Sequence, residues 1–251
     1  MSPNLIIGFL LLGVAVLCQV NLGAARKKLH RMQLLDVSSV EHLETLARSM
    51  LEGVGERGLM RFATEIRGTI RAEQPLISEL AQQPCVYYAM RVTREYEETY
   101  WDTDDRGNRV RRTRRGSQVM AENRRHIPFE VEDATGSVRV DPSGADMVAE
   151  PVLSEFRQEQ GQHLQMGQFR LPVAYGGAGT RTLGYRYQEE IIPLGREIYV
   201  LGEASDAEGR LSVGRPSDGS TFLVSMKGEA QLLDELTKKI KMLKIGAIGG
   251  G

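Results

Sequence analysis

The longest uninterrupted apolar run stands at the start of the chain. Leu5 to Leu17 reads LIIGFLLLGVAVL without a charge and continues through Cys18 and weakly polar residues to Ala25, where Arg26-Lys27-Lys28-Leu29-His30-Arg31 closes it. A helix crosses a bilayer with about 20 mainly apolar residues, so residues 1–25 are expected to form an N-terminal transmembrane helix. A cleaved signal peptide carries positive charge ahead of its apolar run, and only Ser2, Pro3 and Asn4 stand there; the small residues Gly23-Ala24-Ala25 keep cleavage open as the alternative. Basic charge follows the run, which by the positive-inside rule places the remainder on the cytoplasmic side.

Beyond the basic cluster the period is helical. Ser38 and Glu41 fit a capping box, and Val40, Leu43, Leu46, Ala47, Met50, Leu51 and Val54 then recur at 3–4 residue spacing. The spacing predicts an amphipathic helix ending near Gly53 or Gly55, packed on the domain or lying at a membrane surface.

From Arg61 the period becomes two. Strands are predicted at Phe62–Arg71, with Gly68 as a bulge or bend, and at Val86–Trp101 and Arg109–Met120 around the turn Asp105-Arg106-Gly107-Asn108. Further strands are predicted at Arg124–Glu132, Ser137–Asp141 and Pro151–Glu159. Thr182–Ile192, Glu197–Ala204, Leu211–Arg215 and Phe222–Met226 complete the set. Gln160–Thr180, rich in Gln and Gly, reads as a long mobile loop. A last helix begins at Glu229 and runs into Lys238-Lys239-Ile240-Lys241-Met242-Leu243-Lys244. The apolar residues from Ile245 on read either as the start of a second span or as a glycine tail.

The hairpin carries the one conspicuous charge run. Arg109, Arg111, Arg112, Arg114 and Arg115 on its return strand face Glu95, Glu97, Glu98, Asp102, Asp104 and Asp105 on the outgoing one. Lipid or partner contact through these arginines and Trp101 is one reading, and a self-neutralising ribbon is the favoured one.

Composition narrows the chemistry. The net charge of −1 gives no global field toward nucleic acid, and none is expected as a partner. Two cysteines and four scattered histidines provide neither a disulfide framework nor a zinc site of several Cys and His. The glycines at 176–179 lack the Gly-Lys-Ser/Thr of a phosphate loop. No cofactor, metal or catalytic residue is expected.

Several motifs stand in a fixed order. They are Gly68 within an early strand; Cys85 opening the long strand; and Pro128-Phe129-x-Val131-x-Asp133-x-x-Gly136-x-Val138-x-Val140. Glu189-Glu190-x-Ile192-x-x-Gly195, then Gly202-Glu203, and finally Phe222-Leu223-Val224-Ser225 complete the series. In this order the chain resembles the GIDE-domain family, membrane proteins whose animal members include a RING-type ubiquitin ligase of mitochondria. The resemblance runs over roughly 60–240. The RING pairs of Cys and His that recruit a charged conjugating enzyme have no counterpart in these residues, so the likeness is to the RING-less bacterial or plastid-type members. Asp133 and Gly136 suit a tight turn with positive φ at glycine, and Phe129, Val131, Val138 and Val140 a core. Gly195 and Gly202 suit a turn and a close backbone approach. A buried carboxylate at Glu189 or Glu190 calls for a partner such as Arg186 or Arg196.

The expected protein is mainly β (α+β): a partly open OB-like barrel with a long inserted β-hairpin, flanked by the transmembrane helix and terminal amphipathic helices. The expected organisation is an anchor (1–25), a basic segment with an amphipathic helix (26–59), a GIDE-like β domain (60–228) and a C-terminal helix (229–251). The expected role is a membrane-anchored, non-enzymatic module that binds an unknown protein partner or acts as a scaffold. Substrate recognition for a ubiquitin-ligase-like or envelope quality-control system is the alternative, and a hydrolase using Asp133, Asp141 or Glu190 is a remote third.

Overall fold

The structure is a computed structural model that describes residues 19, 21–23, 25–56, 58–158, 163–172, 179–207 and 209–248. The expected membrane helix at 1–25 therefore lies almost wholly outside the described residues, as do residues 249–251, while residues 245–248 are helical. No helix among the described residues is long and apolar enough to cross a membrane.

The chain is mainly β and divides into two compact units. The first holds residues 1–69, 130–148 and 197–251, and the second 70–129 and 149–196. In the first unit five strands close a ring: β1 (Arg61–Arg71), β5 (Phe129–Glu132), β6 (Ser137–Val140), β13 (Ser212–Gly214) and β12 (Glu197–Ser205), which returns to β1. Numbered along the chain, this circuit is 1-2-3-5-4-1, with β6 and β13 parallel, which is OB-type topology. The barrel is thus closed rather than partly open. Closure arises because β12 uses one edge for β1 over nine residues and shares the other between β13 and β14 (Leu223–Ser225). β7 (Asp146–Val148) extends the sheet beyond β14.

Buried side chains fill the barrel strands: Ile66, Val131, Val138, Val140, Val200, Ala204 and Val213 are each at most 2 % exposed. Helix α1 (Val40–Val54) begins at Ser39, whose hydroxyl accepts from the His42 N–H at 3.2 Å. The cap is not Ser38, because the Ser38 N–H is used to bond the Glu65 carbonyl at 2.7 Å beside a Val37–Glu65 bridge. Gly55, at φ 73°, ends the helix with its N–H on the Leu51 carbonyl. Only Val40 and Leu43 of the apolar stripe are buried; Met50 and Val54 are exposed.

Residues 25–34 are helical and run antiparallel to α2 (Glu229–Ile248). Met32 packs with Leu223 and Leu232 at one end of the pair, while Leu22 and Ala25 pack with Ile240 at the other.

The second unit is built from two insertions in the barrel sequence, not one hairpin. The insertion after β1 supplies β2 (Leu76–Ile77), β3 (Pro84–Thr103) and β4 (Arg109–His126). The insertion after β7 supplies β8 (Glu150–Arg157), β9 (His163–Met166), β10 (Phe169–Pro172) and β11 (Thr180–Pro193). Strands β4, β3, β11 and β8 form one antiparallel sheet. The predicted loop over 160–180 contains the β9–β10 hairpin. Its Leu164, Met166 and Phe169 pack with Leu80, Met90, Val92, Tyr185 and Tyr187. The glutamines between those apolar positions hide an alternation that only the packing reveals.

Candidate functional site: a polar cleft on the second unit

Antiparallel register decides what stands beside what. Residues directly opposite on neighbouring strands share a face, so β4, β3, β11 and β8 set out two rows on one face of the sheet. One is Arg124–Ala89–Glu190–Pro151 and the other Glu122–Arg91–Gln188–Ser154. These residues line a cleft of about 630 Å³. The Arg91 Nε meets the Glu122 carboxylate at 2.6 Å, fixing one wall. Glu190 and Arg124 close no ion pair among the described residues. They stand two strand spacings apart, about 10 Å, with the small Ala89 between them. In the next row Tyr87 is buried, and its hydroxyl titrates above the usual tyrosine range. Burial is the main cause, the Glu190 charge adds to it, and Arg124 works against it.

Glu189 points the other way, as strand alternation requires. It is 2 % exposed, and its partners are neither Arg186 nor Arg196. Its carboxylate accepts three backbone N–H groups from the turn after β2: Glu79 at 2.8 Å, Leu80 at 2.9 Å and Ala81 at 2.7 Å. A carboxylate saturated by peptide N–H groups needs no cation. The arginines serve other acids: Arg186 bonds Glu95 at 2.7 Å, and Arg196 lies 3.4 Å from Glu150. Gly167 approaches the same turn so closely that a Cβ would lie 2.5 Å from the Glu79 carbonyl oxygen. Cys85, fully buried beside Tyr88 and Ile191, has its thiol pushed up to about 11 by burial and then by the Glu189 charge. The cleft presents the paired charges of Arg91 and Glu122 together with those of Glu190 and Arg124.

The arginine ribbon neutralises itself. Glu98 faces Arg114 and Glu97 faces Arg115 in register, with N–O distances of 2.8 and 3.8 Å, and Arg112 reaches Asp102 at 2.9 Å. Arg111 lies opposite Trp101, whose ring carries Arg109 at 5.5 Å. Trp101 remains 63 % exposed.

In the first unit Asp133 joins the β5–β6 turn to α1. Its carboxylate accepts from the Thr135 hydroxyl and N–H, the Gly136 N–H and the Val40 N–H. Burial pushes this carboxyl up, but those bonds outweigh it and hold it below the usual range. Gly136 has no positive φ; its bareness admits Val40, whose Cγ1 would be 3.1 Å from a Cβ. Gly68 is no bulge, since its register with Ile198 is regular. A Cβ there would lie 2.4 Å from the Glu132 carbonyl oxygen. Gly202 lets the Gly214 carbonyl approach, and Gly195 turns at φ 69°. Val138 and Phe129 are buried, and the buried Ser225 hydroxyl donates to the Lys227 carbonyl at 2.9 Å.

The sequence profile of the GIDE family, described as "E3 Ubiquitin ligase", matches residues 97–251. The chain belongs to the GIDE family. Among curated proteins it is similar to E3 ubiquitin-protein ligase SP1 of Arabidopsis thaliana, with 26 % identity over 85 % of this chain and 58 % of that protein. It is likewise similar to E3 ubiquitin-protein ligase SPL1 of the same plant, with 26 % identity over 54 % of this chain and 39 % of that one. The chain thus spans under two thirds of the length of these relatives. No solved structure matches it.

Sequence reasoning missed Glu65 in this GIDE chain. It is wholly buried in β1, where Thr64, Glu65 and Ile66 are all covered and alternation cannot single it out. Its carboxyl lies buried beside the Tyr199 hydroxyl. Burial raises it to about 7; Tyr199 and Arg67 lower it, while Glu229 and Asp36 push it up.

Proposed function

We propose that this chain is a membrane-held recognition module of a ubiquitin-ligase-related system, binding a protein partner without catalysing transfer itself. The carrying observation is the cleft across β4, β3, β11 and β8. It combines a locked Arg91–Glu122 pair with Glu190 and Arg124 free to meet opposite charges on a ligand. Such an arrangement selects by charge position. The family match and the names of the two plant relatives support the ubiquitin-related context. The two Cys and four His of these 251 residues do not make a zinc site of paired Cys and His, so the reading assigns them recognition and not transfer. Membrane attachment rests on the apolar run Leu5–Leu17 and the basic residues behind it.

The test is a photo-crosslinker at Gln188, inside the cleft, and another at Arg170, on the β9–β10 hairpin, in the full chain in native membranes. A reproducible protein adduct from Gln188 that is absent from Arg170 is expected. Equal or no adducts would overturn the cleft as the recognition site. Incubating the chain with ubiquitin, activating and conjugating enzymes is expected to leave ubiquitin unconjugated; chains would overturn the non-catalytic role. Alkaline carbonate is expected to leave the protein in the pellet.

A further inference from the structure

We infer that the antiparallel helix pair of the first unit carries a collar of unpaired cations that binds the headgroups of anionic phospholipids. Two separate basic stretches of sequence meet here. The contact of Leu22 and Ala25 with Ile240 sets the basic residues after Ala25 level with those around Ile240. Arg26 and Lys27 on one helix and Lys239, Lys241 and Lys244 on the other are all exposed. At 1.5 Å rise per residue, Lys239 to Lys244 spans only about 8 Å along the axis, so the five charges share one band. Other basic residues of these helices are paired: Lys28 with Asp146 at 3.6 Å, Arg31 with Asp218 at 3.8 Å and Lys238 with Asp234 at 2.6 Å. The five collar cations make no ion pair with any described residue.

Like charges gathered within a turn or two repel one another, and an anionic surface offsets that repulsion. A lipid surface fits better than RNA because the collar is amphipathic. Leu22, Leu29 and Leu243 pack at its centre, and Met242 is 69 % exposed within it. In sequence, the apolar runs Leu5–Leu17 and Ile245–Ile248 adjoin this same band. The collar extends the proposed membrane attachment by naming the lipid chemistry that the attachment prefers.

The experiment reconstitutes the full chain in phosphatidylcholine vesicles containing trace spin-labelled phosphatidylserine or spin-labelled phosphatidylcholine. A headgroup meeting one such cation gains about five-fold in association, so phosphatidylserine is expected to associate about five-fold more than phosphatidylcholine. The preference should fall to parity in high salt, where surface charges are screened. It should also fall to parity in a variant carrying Arg26→Gln, Lys27→Gln, Lys239→Gln, Lys241→Gln and Lys244→Gln. Circular dichroism confirms that this variant keeps its fold, and Lys27→Gln with Lys241→Gln alone should give an intermediate preference. Equal association of both lipids with the wild-type chain overturns the collar, as does a salt-sensitive affinity for an RNA oligonucleotide without lipid preference. Carbonate extraction of the same vesicles separates the two proposals. Protein retained but indifferent to headgroup overturns the collar alone; protein stripped yet selective overturns the span alone; protein stripped and indifferent overturns both.

Discussion

The Glu189 clamp offers the most direct test of how the second unit is held together. Its carboxylate is almost fully buried and accepts from three successive peptide N–H groups at 2.7–2.9 Å. Hydrogen bonds to a charged group contribute about 1.5–3 kcal/mol each, and a buried donor left alone costs about 1–3 kcal/mol. Leu80 is buried, whereas Glu79 and Ala81 are half-buried and can recover water. Glu189→Ala is therefore expected to cost about 3–5 kcal/mol, less than the sum of three bonds because two donors rehydrate. Glu189→Gln keeps one acceptor oxygen and turns an amide N–H₂ toward a peptide N–H, for a loss of about 2 kcal/mol. Urea unfolding followed by far-ultraviolet circular dichroism gives the global value, and hydrogen exchange resolves the amides of Glu79, Leu80 and Ala81. Those three should lose protection before the β3–β11 ladder does. Unchanged exchange at these amides together with a stability change below about 0.5 kcal/mol would refute the clamp.

Glu65 predicts an unusual pH profile. Its folded value of about 7 stands above the ordinary 4.5, so the unfolded chain binds fewer protons between those limits. Stability is then full below pH 4.5 and declines as pH rises to 7, by up to about 3 kcal/mol; Glu65→Gln should flatten this limb in urea titrations. Asp133 has the opposite sign: its depressed pKa stabilises above pH 3.8 and is lost as pH falls through the folded value. Asp133→Ala should cost about 2 kcal/mol at pH 7, by thermal melting, and shrink the acid limb. Gly68→Ala forces a Cβ against the Glu132 carbonyl and should destabilise the barrel by about 2–3 kcal/mol, detected by limited proteolysis. The Cys85 thiol, buried and raised to about 11, should resist iodoacetamide at pH 8, and peptide mapping should show faster labelling in Glu189→Gln.

What the sequence determined by itself is local. Period-two runs located β1, β3, β11 and β12 within a few residues, because alternating burial leaves its mark residue by residue; β4 runs six residues past its predicted end at Met120, and the strand predicted at Arg124–Glu132 is divided between β4 and β5. The ribbon's self-neutralisation was legible for the same reason: a tight turn fixes which residues face each other. The GIDE membership was legible in ordered glycines and acids, although the roles of several were not. Gly68 and Gly136 read as a bend and a positive-φ turn, but each is bare because a distant segment crowds it. Closure of the barrel depends on β12 meeting β1, whose partners lie over 120 residues apart along the chain. No local period encodes such a pairing. The same holds for the cleft, which four strands from two insertions assemble, and for the clamp, where peptide N–H groups invisible to side-chain reading replace the expected arginine. Tertiary structure decided these because burial of a charge is settled by whatever donors the fold brings within 3 Å.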